Sequence, residues 1–555
     1  MARAEWWRGA VIYQIYPRSF FDSNGDGVGD LPGVTARLDH VARLGVDAIW
    51  LCPFFTSPQK DFGYDVADHT AVDPLFGTLA DFDALVARAH DLGLRVLIDQ
   101  VWSHTSDRHP WFIESRANRT NILNDWYVWA DPAADGTPPN NWLSVFGGAA
   151  WSWEPRRRQY YLHHFLSEQP ALNLHNPAVL EALLAGGEFW LQRGVDGFRL
   201  DAIDFLLHDR TLRPNQAAPP TGQIPAKLFG MQVHCHDMLQ TEALDLLTRI
   251  RELMERYPGS VTMGEVSSQP GALDRVVQYT AGDQRLHMAY TLRPLRGGFD
   301  WSTVTGMLQE LAAAGEAGWP CWSFSNHDVE RAVSRWNPRR DAAAPDAAFA
   351  RLLMALLLTL RGSISLYQGE ELGLTEAELR REHLRDPFGI AYWPEFRGRD
   401  GSRTPIPWQG AAQHAGFTNA PEPWLPAPDA HRALAVDRQE ADTSSVLHAV
   451  RRLLTWRRLH PALVRGWLEP LKLPDPLVGF IRELDGQRIL ALFNLSAQPV
   501  IADLACYGPI RELPDSGFCA DMKDGVVRLP PYGAWFAAIE GVGAAAREPT
   551  LAIAK

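Results

Sequence analysis

Gly197-Phe198-Arg199-Leu200-Asp201, Val261-Thr262-Met263-Gly264-Glu265 and Trp322-Ser323-Phe324-Ser325-Asn326-His327-Asp328 share one pattern, a short apolar run closing on a carboxylate. Each run is too short for a helix and rich in β-branched or aromatic residues, so each reads as a buried strand. An acid at the C-terminal tip of a buried parallel strand is where a (β/α)8 barrel carries its chemistry. Outward from these three, further strand candidates are Val11–Tyr16, Val46–Leu51, Arg95–Val101, Leu286–Tyr290 and Ser363–Gln368, with the third run's strand spanning Pro320–Phe324. Amphipathic helical stretches such as Leu79–Leu92 and Ala178–Arg193 fall between most of them. Strand and helix in alternation imply βα units and a parallel sheet, and eight strands favour closure into a barrel.

Two stretches interrupt the alternation. From Thr105 to Ala171 the chain is rich in Trp, Asn, Pro and Arg, with a strand-like piece at Tyr160–Phe165. A structureless loop of that length is rare, so an inserted subdomain after the third strand is expected. A second Pro-, Gly- and Trp-rich insertion runs over 372–443, before a helix at Ser444–Leu459. Beyond Leu463 the pattern becomes short strands with turns, at Leu477–Leu484, Arg488–Asn494, Val500–Leu504, Val526–Leu529 and Ala534–Ile539. The expected fold is α/β: a (β/α)8 TIM barrel over 1–104 and 172–463, an inserted subdomain over 105–171, and a C-terminal antiparallel β-sandwich over 464–541. The Ala-rich tail 542–555 is expected to fray.

A chain of 555 residues exceeds one compact domain. Its net charge of −13 gives a nucleic-acid partner no electrostatic support. The five cysteines are odd in number and scattered, against both a disulfide framework and a zinc site. No secretory h-region opens the sequence and no apolar stretch is long enough for a bilayer, so a cytoplasmic protein without a membrane partner is expected. The 21 Trp exceed ordinary usage. They suit sugar-stacking platforms on loops, although for any single Trp a cover for apolar surface is the better reading.

Two carboxylates plus a third are what glycosidic bond cleavage uses. Arg199 lies two residues before Asp201 on one strand face and would keep that acid ionised, as a nucleophile must be. Glu265 follows an apolar strand, where partial burial would raise its pKa and suit a general acid. Other clusters carry less. His234-Cys235-His236-Asp237 lacks a second pair at metal spacing and reads as a surface loop, and Arg156-Arg157-Arg158 reads as a solvated face.

The motifs Asp99-Gln100-Val101-Trp102-Ser103-His104, Gly197 to Ala202, Gly264-Glu265-Val266 and Ser325-Asn326-His327-Asp328 occur together with Tyr13-Gln14-Ile15-Tyr16-Pro17-Arg18-Ser19-Phe20, Gly63-Tyr64-Asp65, Tyr367-Gln368-Gly369-Glu370 and Arg399-Asp400-Gly401-Ser402-Arg403. In this order the chain resembles the α-amylase superfamily of glycoside hydrolases, family thirteen, in its α-glucosidase and oligo-1,6-glucosidase branch. The resemblance implies Asp201 as nucleophile, Glu265 as acid/base and Asp328 as transition-state stabiliser. It implies sugar contacts from Arg199, His104 and His327, and a stacking Tyr64. It also implies a wall behind the non-reducing end, made by Asp65 paired with Arg399 or, alternatively, Arg403.

The loop Asp22-Ser23-Asn24-Gly25-Asp26-Gly27-Val28-Gly29-Asp30 carries hard oxygen donors at alternate positions, but its twelfth residue, Gly33, is not the Glu of an EF-hand. The resemblance implies a structural Ca2+, or Mg2+, on Asp22, Asn24, Asp26, Asp30 and the Val28 carbonyl. Four positions depart from the family pattern: Ser103 for Asn, Ala171 for Asp, Ser363 where Pro is usual, and Ala202, which resembles α-1,4-specific rather than α-1,6-specific members. The expected activity is a retaining, exo-acting α-glucosidase on short maltose-type α-glucosides, with transfer to sugar or alcohol acceptors. The alternative is a sucrose-, isomaltose- or trehalose-active hydrolase or isomerase on the same fold.

Overall fold

The computed structural model describes residues 5–220, 227–296, 301–315, 317–337, 347–540 and 551–552. Its centre is one eight-stranded parallel sheet: β1 Val11–Ile15, β2 Ala48–Leu51, β3 Arg95–Gln100, β4 Gly197–Leu200, β5 Val261–Val266, β6 Met288–Thr291, β7 Cys321–Trp322 and β8 Ser363–Tyr367. Val11 pairs with Ile364 across β1 and β8, and a parallel Ala289–Pro320 bridge joins β6 to β7, so the sheet closes into a barrel. Every strand expected in this region forms, with ends shifted by a few residues. β7 is the shortest, because beyond Trp322 the Ser323 hydroxyl turns to the Ser325 carbonyl.

The strands read as continuous apolar runs because both faces are covered. Ile12, Trp50, Leu97, Met263, Tyr290 and Tyr367 pack inside the barrel. Their alternates, among them Tyr13, Ile49, Ile98 and Phe198, pack outward against the helices that follow each strand: α1 Leu31–Leu44, α2 Leu79–Asp91, α3 Pro177–Gln192, α4 Ala243–Glu255, α5 Ala272–Thr280, α6 Trp301–Ala313, α7 Ala347–Thr359 and α8 Val446–Arg458. Helix starts follow local chemistry. Asp30 caps α1 by accepting from Gly33 N, and Thr78 with Asp81 forms a capping box on α2.

Between β3 and α3 a three-stranded antiparallel sheet forms from Trp129–Ala130, Gln159–Leu162 and Trp151–Glu154 around buried Trp142, Trp151 and Leu162. The basic run there is not a solvated face throughout. Arg157 is buried, donates to the Ser115, Asn118 and Asn124 carbonyls and lies 4.1 Å over the Trp129 ring. After α8 come a five-stranded and a four-stranded antiparallel sheet that share a core of Leu477, Leu492, Val527, Leu529 and Trp535. Pattern reading missed Trp467–Pro470, Ile510–Glu512 and Asp521–Lys523, which are short and largely without the apolar alternation that marks a strand. Of the tail expected to fray, 541–550 and 553–555 lie outside the described residues, while Leu551–Ala552 pairs with Ile501–Ala502.

Candidate active site

At the C-terminal mouth of the barrel lies a cavity of about 1710 Å³ lined by Asp61, Tyr64, His104, Asp201, Glu265, Asp328 and Arg399. Strand geometry puts the acids there. Asp201 follows the last residue of β4, and Glu265 is the fifth residue of β5. Gly264 before it allows close packing, since a Cβ would come within 2.6 Å of both Ile203 and Leu286. Ala202, after Asp201, adopts a left-handed backbone at φ 45°.

Arg199 is the hub. Fully buried on β4, it donates through Nη1 to Asp99 Oδ1 and Asp201 Oδ1, both at 2.7 Å, and through Nη2 to Glu265 Oε2 and, at 2.8 Å, the Tyr290 hydroxyl. One guanidinium therefore serves three carboxylates. Burial pushes Glu265 up to about 8, with Arg199 opposing and the charges of Asp201 and Asp328 reinforcing the rise. Burial likewise raises Asp201, to about 7, against Arg199 and with Asp99. The expectation that Arg199 would keep Asp201 ionised meets a larger opposing effect: burial outweighs the charge of Arg199, which Asp99 and Glu265 also draw on.

Asp328 goes the other way. Burial would raise it, but His327, Arg399 and Arg403 hold it well below the usual carboxylate range. Arg403 Nη2 lies 2.9 Å and Arg399 Nη1 3.3 Å from Asp328 Oδ1. The expected pairing of Asp65 is overturned. Asp65 accepts from Ser57 Oγ, Lys60 N and Asp61 N, and so ties the loop to itself. Asp61, four residues earlier, meets Arg399 Nη2 at 2.7 Å, and Asp386 grips the same guanidinium from the far side. Lys60-Asp61-Phe62-Gly63-Tyr64-Asp65 holds both acids; only the fold, with Gln59 and Phe62 at φ 63° and 51°, decides which one faces the cavity.

The aromatic residues also sort themselves. Tyr64 stacks on His327 at 5.3 Å, its hydroxyl 2.6 Å from His327 Nε2 and 3.0 Å from Asp99 Oδ2. His104 Nε2 lies 3.0 Å from the Tyr64 carbonyl and 3.1 Å from Gln169 Nε2, and burial pushes its pKa down to about 3. Gln169 also donates to Asp61 and, like Asp99 and Tyr290, was missed as a site residue. No Trp lines the cavity among the described residues; Phe146, Phe165, Phe205, Phe229, Phe388 and Phe396 line it, with Phe165 against His104 and Phe146 against Arg399. The His234 run is not a simple surface loop. His234 is buried, sits 2.7 Å from Asp237 and stacks on Phe229 at 3.6 Å.

The loop 22–30 does not line the cavity. Asp22, Asn24 and Asp26 each accept a backbone N–H two residues on, Asp22 also takes the Thr418 hydroxyl, and Asp30 is committed to Gly33 N and Ser23. These turns place the oxygens on one loop, the donor type a hard divalent cation uses. Among the described residues no three His, Cys, Asp or Glu side chains converge closely enough, as they stand, to hold a metal ion.

Residues 14–466 match the family model for the α-amylase catalytic domain. Over 541 residues the chain is 52% identical to a probable α-glucosidase of Rhizobium meliloti (strain 1021), covering 96% of this chain and 97% of that one. It is 37% identical over 524 residues to the trehalose-6-phosphate hydrolase of Escherichia coli (strain K12), covering 89% and 91%. Among solved structures, an α-glucosyl transfer enzyme, XgtA, superposes with a TM-score of 0.93 at 53% identity, covering 96% of this chain and 99% of that one. The chain is therefore a member of the α-amylase family, glycoside hydrolase family thirteen, among relatives named α-glucosidases and oligo-1,6-glucosidases.

Proposed function

We propose that the protein is a retaining, exo-acting α-glucosidase for short α-1,4-linked glucosides, with transglucosylation as a second outcome of the same intermediate. The observation that carries the reading is the unequal sharing of cations. Burial raises Glu265 further than an arginine shared with Asp201 offsets, which favours a proton there, while Asp328, next to two arginines, stays charged. In this reading Glu265 donates its proton to the glycosidic oxygen as Asp201 attacks the anomeric carbon. Glu265, now ionised, then takes a proton from water or from a sugar or alcohol acceptor that displaces Asp201. Asp328 supports the positively charged ring in each transition state. Asp61 and Arg399 close the wall behind the non-reducing end, which favours release of one glucose at a time.

Ala202 supports the α-1,4 preference, and the name of the Rhizobium meliloti relative, a probable α-glucosidase, supports the α-glucosidase reading without a linkage. The solved transfer enzyme supports transglucosylation. The Escherichia coli relative keeps trehalose-type substrates as the second reading. The reading includes a divalent cation, calcium or magnesium, drawing Asp22, Asn24, Asp26, Asp30 and the Val28 carbonyl together as a structural brace, since five hard oxygens on one loop suit it. It also includes a cytoplasmic location, supported by five cysteines that are all free. No helix among the described residues is long and apolar enough to cross a membrane.

Proton NMR of the enzyme with maltose, followed from the first minutes, tests the assignment. α-Glucose appearing first from the non-reducing unit, with transfer products at high maltose, is the expected result. Untouched maltose with turnover of sucrose, isomaltose or trehalose would move the substrate while keeping the site.

A further inference from the structure

Gln14 lies on β1 beneath the cavity, fully buried, and does not line it. Its Nε2 is 2.8 Å from His327 Nδ1 and 3.2 Å from Cys52 Sγ. The His327 ring it touches is held on both faces, stacked on Tyr16 at 5.7 Å and on Tyr64 at 5.3 Å. With no room to turn, the ring's one freedom is which nitrogen carries the proton.

The neighbours decide that. His327 Nε2 faces the Tyr64 hydroxyl at 2.6 Å and Asp328 Oδ2 at 3.3 Å, and the same hydroxyl faces Asp99 Oδ2 at 3.0 Å. Asp328 is held ionised and can only accept, so a bare Nε2 would set two acceptors against each other. The hydroxyl has one proton, and given to Asp99 it leaves an oxygen that accepts from Nε2–H. Nδ1 must then be bare and needs a donor, which the Gln14 amide supplies.

We infer that Gln14 is a positioning residue of this site: its amide N–H holds His327 as the Nε2–H tautomer, and through that ring it aims the Tyr64 hydroxyl at Asp99, the carboxylate that anchors Arg199. The inference rests on the reading of the cavity given above. Charged groups reach the ring from three elements: Asp328 on its own loop, Arg399 and Arg403 from the late insertion, and Arg199 from β4. None of them touches Nδ1 in the described structure, so Gln14 acts there alone with Cys52.

The test compares wild type, Gln14→Leu and Gln14→Glu on p-nitrophenyl α-glucoside as a function of pH. Gln14→Leu is expected to lower kcat roughly 10- to 100-fold, the range for leaving a buried polar group unpaired, with a smaller change in KM. Gln14→Glu supplies the readout that packing alone would not move. Its protonated carboxyl donates to Nδ1 as the amide does, while its carboxylate can only accept. The ratio of Gln14→Glu to wild-type kcat should therefore rise as pH falls. A flat ratio, or a Gln14→Leu enzyme with wild-type kcat, overturns the inference. If either variant fails to fold, nitrogen-15 spectra of histidine-labelled wild type, with His327 assigned by its loss in His327→Gln, decide the matter. A bare Nδ1 with protonated Nε2 supports it and the reverse overturns it. An inactive wild type would sink the functional reading but leave this spectroscopic test intact.

Discussion

Two arginines hold the acids of the cavity, Arg199 from beneath and Arg399 from its wall, and each meets three carboxylates with opposite results. Arg199 stands alone among Asp99, Asp201 and Glu265, and all three acids are raised by burial that its one charge only partly offsets. Arg399 stands among Asp61, Asp386 and Asp328, but Arg403 adds a second guanidinium beside Asp328. Asp386 falls to about 2 and Asp328 falls further, while Asp61, which meets only Arg399, is raised by burial. Protonation in this cleft follows burial set against cations and hydrogen bonds together: Asp61 takes one N–H of Arg399 and is raised, whereas Asp386 takes three and is lowered. Of the inner acids Glu265 is raised furthest, as an acid catalyst requires, while in the outer group Asp328 and Asp386 are held charged.

Removing the attacking carboxylate from the inner group should have the largest effect. Asp201→Asn should lower kcat on the order of 10⁴-fold with an unchanged unfolding midpoint, and a loss under tenfold would break the assignment. Arg199→Lys keeps the charge but loses the fork that reaches three acids, so kcat should fall about 10²-fold. On the outer side, Asp61→Asn should raise KM for maltose roughly tenfold with kcat little changed, whereas Asp65→Asn should lower the unfolding midpoint with KM nearly intact. Equal effects at both positions would dissolve the distinction drawn between them.

The pH profile sharpens the same contrast. Asp201 must be ionised to attack and Glu265 protonated to donate, so kcat/KM should fall below about 7 and again above about 8. A basic limb that persists unshifted in Glu265→Gln would assign it to another group. The smallest effect is expected from the loop 22–30. Chelation should lower the unfolding temperature by a few degrees, with metal analysis finding one divalent ion per chain; no shift and no metal would remove the cation from the reading.

The barrel was readable because a strand buried on both faces announces itself, so Arg95–Gln100 and Val261–Val266 could be read within a residue. The three acids were readable because each ends such a run. The wall was not. Asp61 and Asp65 are the same residue type in one short loop, and their roles separate only through left-handed turns at Gln59 and Phe62 that sequence pattern does not encode. The titration order was equally hidden, since Arg199 next to Asp201 suggests a lowered pKa until Asp99 and Glu265 are seen competing for it. Trp as a group suited stacking surfaces, but covering apolar surface was the better reading for any one of them, and Trp50, Trp142 and Trp190 lie in cores while Phe lines the cavity. Composition says how much aromatic surface exists, not where it faces.

Barrel closure joins Val11 to Ile364, and the wall joins Asp61 to Arg399. Neither contact can form until more than three hundred further residues have been made. At roughly 5–20 residues per second, β1 waits on the order of 20–70 s for its second neighbour. During that interval the nascent chain displays an apolar strand with an open hydrogen-bonding edge. The order of synthesis therefore places closure of both the barrel and the wall late, after β8 and Arg399 have been made.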